Sequence, residues 1–116
     1  MATLKELRDT RISKLQQLES LGIDPYPAKS YRNIEIANIH ETFDELADSK
    51  KTVIAAGRIR SIRAHGKLSF IDLKDASGKI QLYIKEENLQ NATSKKGELN
   101  FTDLHLLDNG DFIEVT

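Results

Sequence analysis

A small β-barrel preceded by helices is the fold this sequence predicts, and three observations predict it. Before residue 50 the apolar residues recur at helical spacing, and from residue 51 they alternate with polar ones at the spacing of a strand. A tight-turn sequence, Asp75-Ala76-Ser77-Gly78, joins two of the alternating runs. A polar stretch, residues 87–108, separates those runs from one more strand pattern, Gly110 to Val115.

The elements follow in order. From Thr3 to Leu21, the residues Leu4, Leu7, Ile12, Leu15, Leu18 and Leu21 form one narrow apolar stripe on a helix. Gly22 ends it in a left-handed conformation, and Asp24-Pro25-Tyr26-Pro27 forces an extended segment. The stripe serves either packing within the chain or a partner. The other face, with Lys5, Arg8, Arg11 and Lys14, suits RNA. A second helix is expected from about His40 to Ser49, with Asn38 and Glu41 as a capping box and Phe43, Leu46 and Ala47 buried. Strands are expected over Lys51–Arg63, with Gly57 in its middle, Leu68–Leu73 and Lys79–Lys85. The division is a helical extension, residues 1–50, and a barrel, residues 51–116. Three meandering strands, a helix-containing connection and a fourth strand match the order of the five-stranded Greek-key OB-fold with its last strand missing. An SH3-like barrel or a plain α+β hairpin sheet fits the same pattern.

Composition narrows the function. The 116 residues have 39% apolar and 30% charged content, room for one compact domain and an appendage. No cysteine is present, which excludes disulfides, thiolate metal sites and a cysteine nucleophile, and fits a reducing, cytoplasmic setting. No apolar run is long enough to span a membrane, and Met1–Glu6 does not read as a signal peptide. The net charge of -1 hides a basic middle: residues 53–85 carry seven Lys/Arg against two Asp/Glu. The flanks are acidic, nine acids against seven bases in residues 1–50 and seven against two in residues 86–116. A local anionic partner accounts for that pattern, as do ordinary solvated strand faces. Catalytic patterns fail. Gly66-Lys67 lacks the upstream glycine of a phosphate loop, no Gly-x-Ser-x-Gly turn occurs, and His40, His65 and His105 have no paired ligand spacing. No catalytic, cofactor or metal residue is assigned.

Alternation phases the strands. Charged Asp72 cannot face a small core, so Ile71 and Leu73 point inward and Leu68, Phe70 and Asp72 outward. Ile80, Leu82 and Ile84 point inward, so Gln81 and Tyr83 share an outward face flanked by Lys79 and Lys85. In the first strand Ile62 breaks the phase of Val53, Ala55 and Ile59. A bulge near Arg60-Ser61 would return Ile62 to the core and throw Arg63 toward Phe70. That face would hold an aromatic platform for a base (Phe70), an amide for a base edge (Gln81) and cations for phosphate (Arg58, Arg60, Arg63). Singly, each residue has a plainer reading: Phe70 covered by the N-terminal helix, Gln81 as solvated surface, Arg58 as an ion-pair partner of Asp72 or Asp75. Their coincidence on one face favours binding.

Two blocks of sequence resemble a known family. Lys14 to Pro27, ending in Gly22-Ile23-Asp24-Pro25-Tyr26-Pro27, resembles the opening of class II lysyl-tRNA synthetases. Ala56-Gly57-Arg58-Ile59, Arg63, Gly66-Lys67-Leu68-Ser69-Phe70, Asp75 with Gly78, and Ile80-Gln81-Leu82-Tyr83 are similar, in order and spacing, to that family's anticodon-binding OB-fold. The second block also suits aspartyl- or asparaginyl-tRNA synthetases; the first favours lysine. The resemblance implies that Phe70 stacks on the central uridine of the anticodon loop of tRNA(Lys), Gln81 bonds its edge and Arg63 contacts the loop. Tyr83, Arg58 and Arg60 are secondary candidates. It further implies a homodimeric parent enzyme whose catalytic domain, absent from this chain, uses ATP and Mg2+ to charge tRNA with lysine. A free-standing single-stranded nucleic-acid-binding OB module is the alternative.

Overall fold

The computed structural model describes residues 3–27, 29–89, 92 and 98–116. The chain divides into two compact units, residues 1–28 with 86–107, and residues 29–85 with 108–116.

In the first unit, helix α1 runs Leu4–Ser20. Thr3 and Glu6 close a capping box at its start, each side chain accepting from the other's backbone N–H. At its end Gly22 adopts φ +85°, as expected. The Gly22 N–H donates to the Glu19 carbonyl and the Ile23 N–H to the Leu18 carbonyl, a Schellman arrangement that places Ile23 in a buried position. Asp24 Oδ1 accepts from the Tyr26 N–H and sets the turn after the helix. No residue of α1 is fully buried: Leu15 and Leu18 are half-buried, and Leu4 is 87% exposed. The helix packs on a short 3-10 turn, Phe101–Leu106, whose Leu106 is buried. A further 3-10 turn covers Glu86–Leu89. Of the expected helix-containing connection over residues 87–108, these two 3-10 turns are described, and residues 90, 91 and 93–97 lie outside the described residues.

The second unit is a curled antiparallel sheet, half of a barrel, with strand order β3-β2-β1-β4. Its strands are β1 (Ala55–His65), β2 (Leu68–Lys74), β3 (Lys79–Lys85) and β4 (Phe112–Val115). The long β1 serves two neighbours: residues 55–58 pair with β4 and 58–65 with β2. Its start differs from the expected Lys51, because the Ile54 backbone bonds instead to the Asn33 N–H and side-chain oxygen. The bulge falls where the spacing places it. The register slips between Ile59 and Ser61, leaving Arg60 unpaired, setting Ile62 opposite Ile71 and Arg63 opposite Phe70. Gly66, at φ +60°, opens the two-residue β1–β2 turn, the position where a side chain would be strained. The core of this unit is Ile36, Ala55, Ile59, Ile71 and Leu73.

The expected second helix is two short ones, α2 (Ile36–Glu41) and α3 (Phe43–Ser49). Asn38 lies inside α2 and does not cap it; its carbonyl accepts from the N–H and hydroxyl of Thr42, where the helix breaks. Phe43, expected inside, is 62% exposed, and Ile36 is the buried residue. The cause is a cap supplied from far along the chain. In the β2–β3 turn, Asp75 Oδ2 accepts from the Ile36 N–H and Ser77 Oγ from the Ala37 N–H.

Asp75 is therefore a joint between α2 and the sheet. Partial burial raises its pKa, but bonds from the Ser77 hydroxyl and from the N–H groups of Ile36, Ser77 and Gly78 outweigh that and hold it at about 2. A carboxyl depressed on folding stabilises the fold above its unfolded pKa. That stability is lost as pH falls from about 4 toward about 2. Asp75→Asn turns an amide NH2 toward the donors of α2 or the turn. It is expected to lower stability by about 1–2 kcal/mol at pH 7. Denaturant melts at pH 7 and pH 2 check this: the deficit should shrink at the lower pH, and an equal deficit at both would exclude the charge as its source.

Candidate nucleic-acid interface

The outward face of the sheet is defined by what points in. Ser69, Ile71 and Leu73 are buried on β2, and Ile80, Leu82 and Ile84 are the less exposed set on β3. The opposite phase brings Arg63, Phe70 and Tyr83 into one cross-strand row, with Ser61, Asp72 and Gln81 in the row beside it. Three of the residues expected to meet, Arg63, Phe70 and Gln81, thus lie on adjacent strands of one face, with Tyr83 among them. The expected phase of both strands is the observed one.

The geometry of the first row is a stack of rings and cations. Phe70 is half-buried, its ring centroid 5.2 Å from that of Tyr83 with the planes tilted by 54°. The Arg63 guanidinium carbon is 6.0 Å from the Phe70 centroid, and Lys85 Nζ is 5.5 Å from that of Tyr83. Tyr83 is 51% exposed, so the row offers an open aromatic surface with positive charge at both ends.

The second row orients the amide. Asp72 Oδ2 accepts from the Ser61 hydroxyl at 2.7 Å and Oδ1 from Gln81 Nε2 at 3.4 Å. A carboxylate only accepts, so the Gln81 NH2 must face it and the Gln81 carbonyl oxygen remains to accept from a ligand. The sequence reading placed Asp72 on this face without finding that role. The signal was available only as register, since Ser61 and Gln81 are Asp72's two cross-strand neighbours.

The secondary candidates separate. Arg60 is exposed at the bulge. Arg58 lies one row further along the same face and stacks on Phe112 of β4, its guanidinium carbon 4.7 Å from the ring centroid. Asp72 and Asp75, the acids considered for it, are engaged by the donors described above. Among the described residues no group of three or more His, Cys, Asp or Glu is placed to hold a metal ion, and no helix is long and apolar enough to cross a membrane.

A curled sheet with a long bulged first strand and an outward face of aromatics, cations and one oriented amide defines a class of nucleic-acid-binding barrel. The chain belongs to the OB-fold nucleic acid binding domain family of the tRNA anticodon type, whose model matches residues 53–116. Its similarity to particular proteins extends further. It is 42% identical over 113 residues to a lysine–tRNA ligase of Carboxydothermus hydrogenoformans, covering 97% of this chain and 21% of that protein. It is 41% identical over 91 residues to that of Thermotoga maritima, covering 74% of this chain and 18% of that protein. To that of Prochlorococcus marinus it is 37% identical over 121 residues, covering 100% and 24%. The chain thus spans about a fifth of the length of the curated relatives it matches.

Proposed function

We propose that this chain is the N-terminal, anticodon-binding part of a lysine–tRNA ligase, with residues 51–116 reading the anticodon loop of tRNA(Lys) and residues 1–50 forming a helical extension. Phe70 stacks on the central uridine, Gln81 reads its edge, and Arg63 contacts the loop; Tyr83, Arg58 and Arg60 assist. The whole enzyme is a cytoplasmic homodimer that joins lysine to tRNA(Lys) with ATP and Mg2+, which its catalytic domain binds. This piece alone is inactive in aminoacylation.

The observation that carries the reading is the pairing of an aromatic platform with an amide whose free group is an acceptor. Stacking on Phe70 is indifferent to base identity, because every base has a π-face. Identity must come from the edge. Uridine presents an N–H at N3 to the Gln81 carbonyl oxygen, where cytidine presents a bare nitrogen. Asp72, by holding the NH2 end of Gln81, keeps the amide from turning that NH2 to donate to N3 of cytidine.

Binding of anticodon stem-loops with central U and central C tests this. Gln81→Ala is expected to narrow the preference for U by roughly 5–10-fold, the worth of one hydrogen bond. Asp72→Asn, which frees the amide to rotate, should narrow it in the same direction. Equal loss of affinity for both loops would refute the role of Gln81. Arg63→Ala, by contrast, should weaken both loops alike and lower the salt dependence.

A further inference from the structure

The outward face carries a third row, of which the anticodon reading uses only Arg58. Across β4, β1, β2 and β3 the register aligns Phe112, Arg58, Lys74 and Lys79. All four are exposed, and Phe112, at 71%, leaves most of its ring in solvent. Each sits in the phase opposite its core neighbours, Ile59 and Leu73 among them, so the row shares its face with Phe70 and Gln81. Cations directly opposite one another on neighbouring strands repel, and this row sets three side by side with no carboxylate among them. The nearest acids on the face are already occupied. Asp72 accepts from Ser61 and Gln81, and Glu114 Oε2 accepts from the Ser30 hydroxyl and the Tyr31 N–H at 2.7 and 2.8 Å. Three adjacent cations ending in a ring already stacked by a guanidinium match the two surfaces of a single-stranded RNA, its phosphates and its base faces.

We propose that Arg58, Phe112, Lys74 and Lys79 form a second RNA subsite, in which the Arg58–Phe112 stack receives a base other than the central one and Lys74 and Lys79 hold backbone phosphate. The proposal rests on the anticodon-binding reading and extends it to neighbouring nucleotides. Along β2, Lys74 lies four residues from Phe70, roughly 13 Å at the rise of a strand. A stacked strand advances about 3.4 Å per nucleotide, so the subsite lies at most about four nucleotides away and fewer where the bases are splayed. That distance keeps it within one loop and its flanks.

The test titrates the 116-residue chain with a labelled anticodon stem-loop over a series of salt concentrations. Phe112→Ala is expected to weaken binding about 5–50-fold, within the range for one lost stack, with the preference for a central U intact. Phe112→Leu keeps apolar bulk on β4 but removes the ring face, and should weaken binding as well, which separates stacking from folding. Lys74→Ala with Lys79→Ala should reduce the salt slope by roughly 1.4, the value for two phosphate contacts on a single strand. Unchanged affinity and slope in these variants, with Phe70→Ala still impaired, would overturn the second subsite and leave the anticodon reading standing; that result would also arise if the row served a protein partner. Absence of binding by the unmodified chain would overturn both.

Discussion

Alanine at position 57 is expected to lower the stability of the sheet by about 2–3 kcal/mol or more, because among the described glycines this is the one whose added Cβ would collide with backbone. A Cβ on Gly57 would lie 2.6 Å from the carbonyl oxygen of Lys74, 2.9 Å from its carbonyl carbon and 3.1 Å from Leu73 Cγ. The first two are backbone atoms of β2, which cannot rotate away as a side-chain tip can. Relief requires β1 and β2 to separate where β1 passes from one partner to the other, since Gly57 pairs with Ile113 and the next residue with both Phe112 and Lys74. The demand here is for space. In a domain of this size each kcal/mol moves the melting temperature by about 4–8 °C, so a fall of roughly 10 °C or more is expected. A melting curve coincident with the parent's would show that the strands part there without cost.

The second large effect is on binding. Phe70→Ala is expected to reduce affinity for an anticodon stem-loop by roughly 10–100-fold, within the range for losing one base–aromatic stack. The stability change should be much smaller. Phe70 faces away from Ile71 and Leu73, and its ring meets Tyr83 and Arg63, contacts worth about 1–2 kcal/mol together. Comparing melting temperature with loop affinity separates the two. A large loss of stability with unaltered affinity would place Phe70 in the core and remove it from the site.

Much of this was readable in the sequence because it is local. The direction of Phe70, Asp72, Gln81 and Tyr83 follows from the two-residue period of a strand and the cost of burying a carboxylate. The bulge at Arg60 follows from the step of three positions from Ile59 to Ile62, where a step of two or four would keep phase. The end of α1 at Gly22 follows from the freedom of glycine to take φ +85°.

The helices after Pro27 were less legible. Asn38 and Glu41 have the spacing of a capping box, yet the α2 N-terminus is capped by Asp75 and Ser77, 39 and 40 residues from the donors they satisfy. With the cap placed there, Ile36 becomes the buried anchor and Phe43 turns to solvent. A local capping signal lost to a tertiary one because the carboxylate of Asp75 offers its oxygens to four N–H or O–H partners at once.

By itself, then, the sequence determined that helices precede a small β-sheet or barrel, the order of its strands and the phase of β1, β2 and β3, since propensity, alternation and turn chemistry act over a few residues. Only the tertiary structure decided which residues stand opposite one another. Ser61, Asp72 and Gln81 become one hydrogen-bonded row, and Arg58 finds Phe112, 54 positions away in number, through register alone. Cross-strand register is set by how two distant segments bury their inward faces together, and a short sequence window contains only one of them.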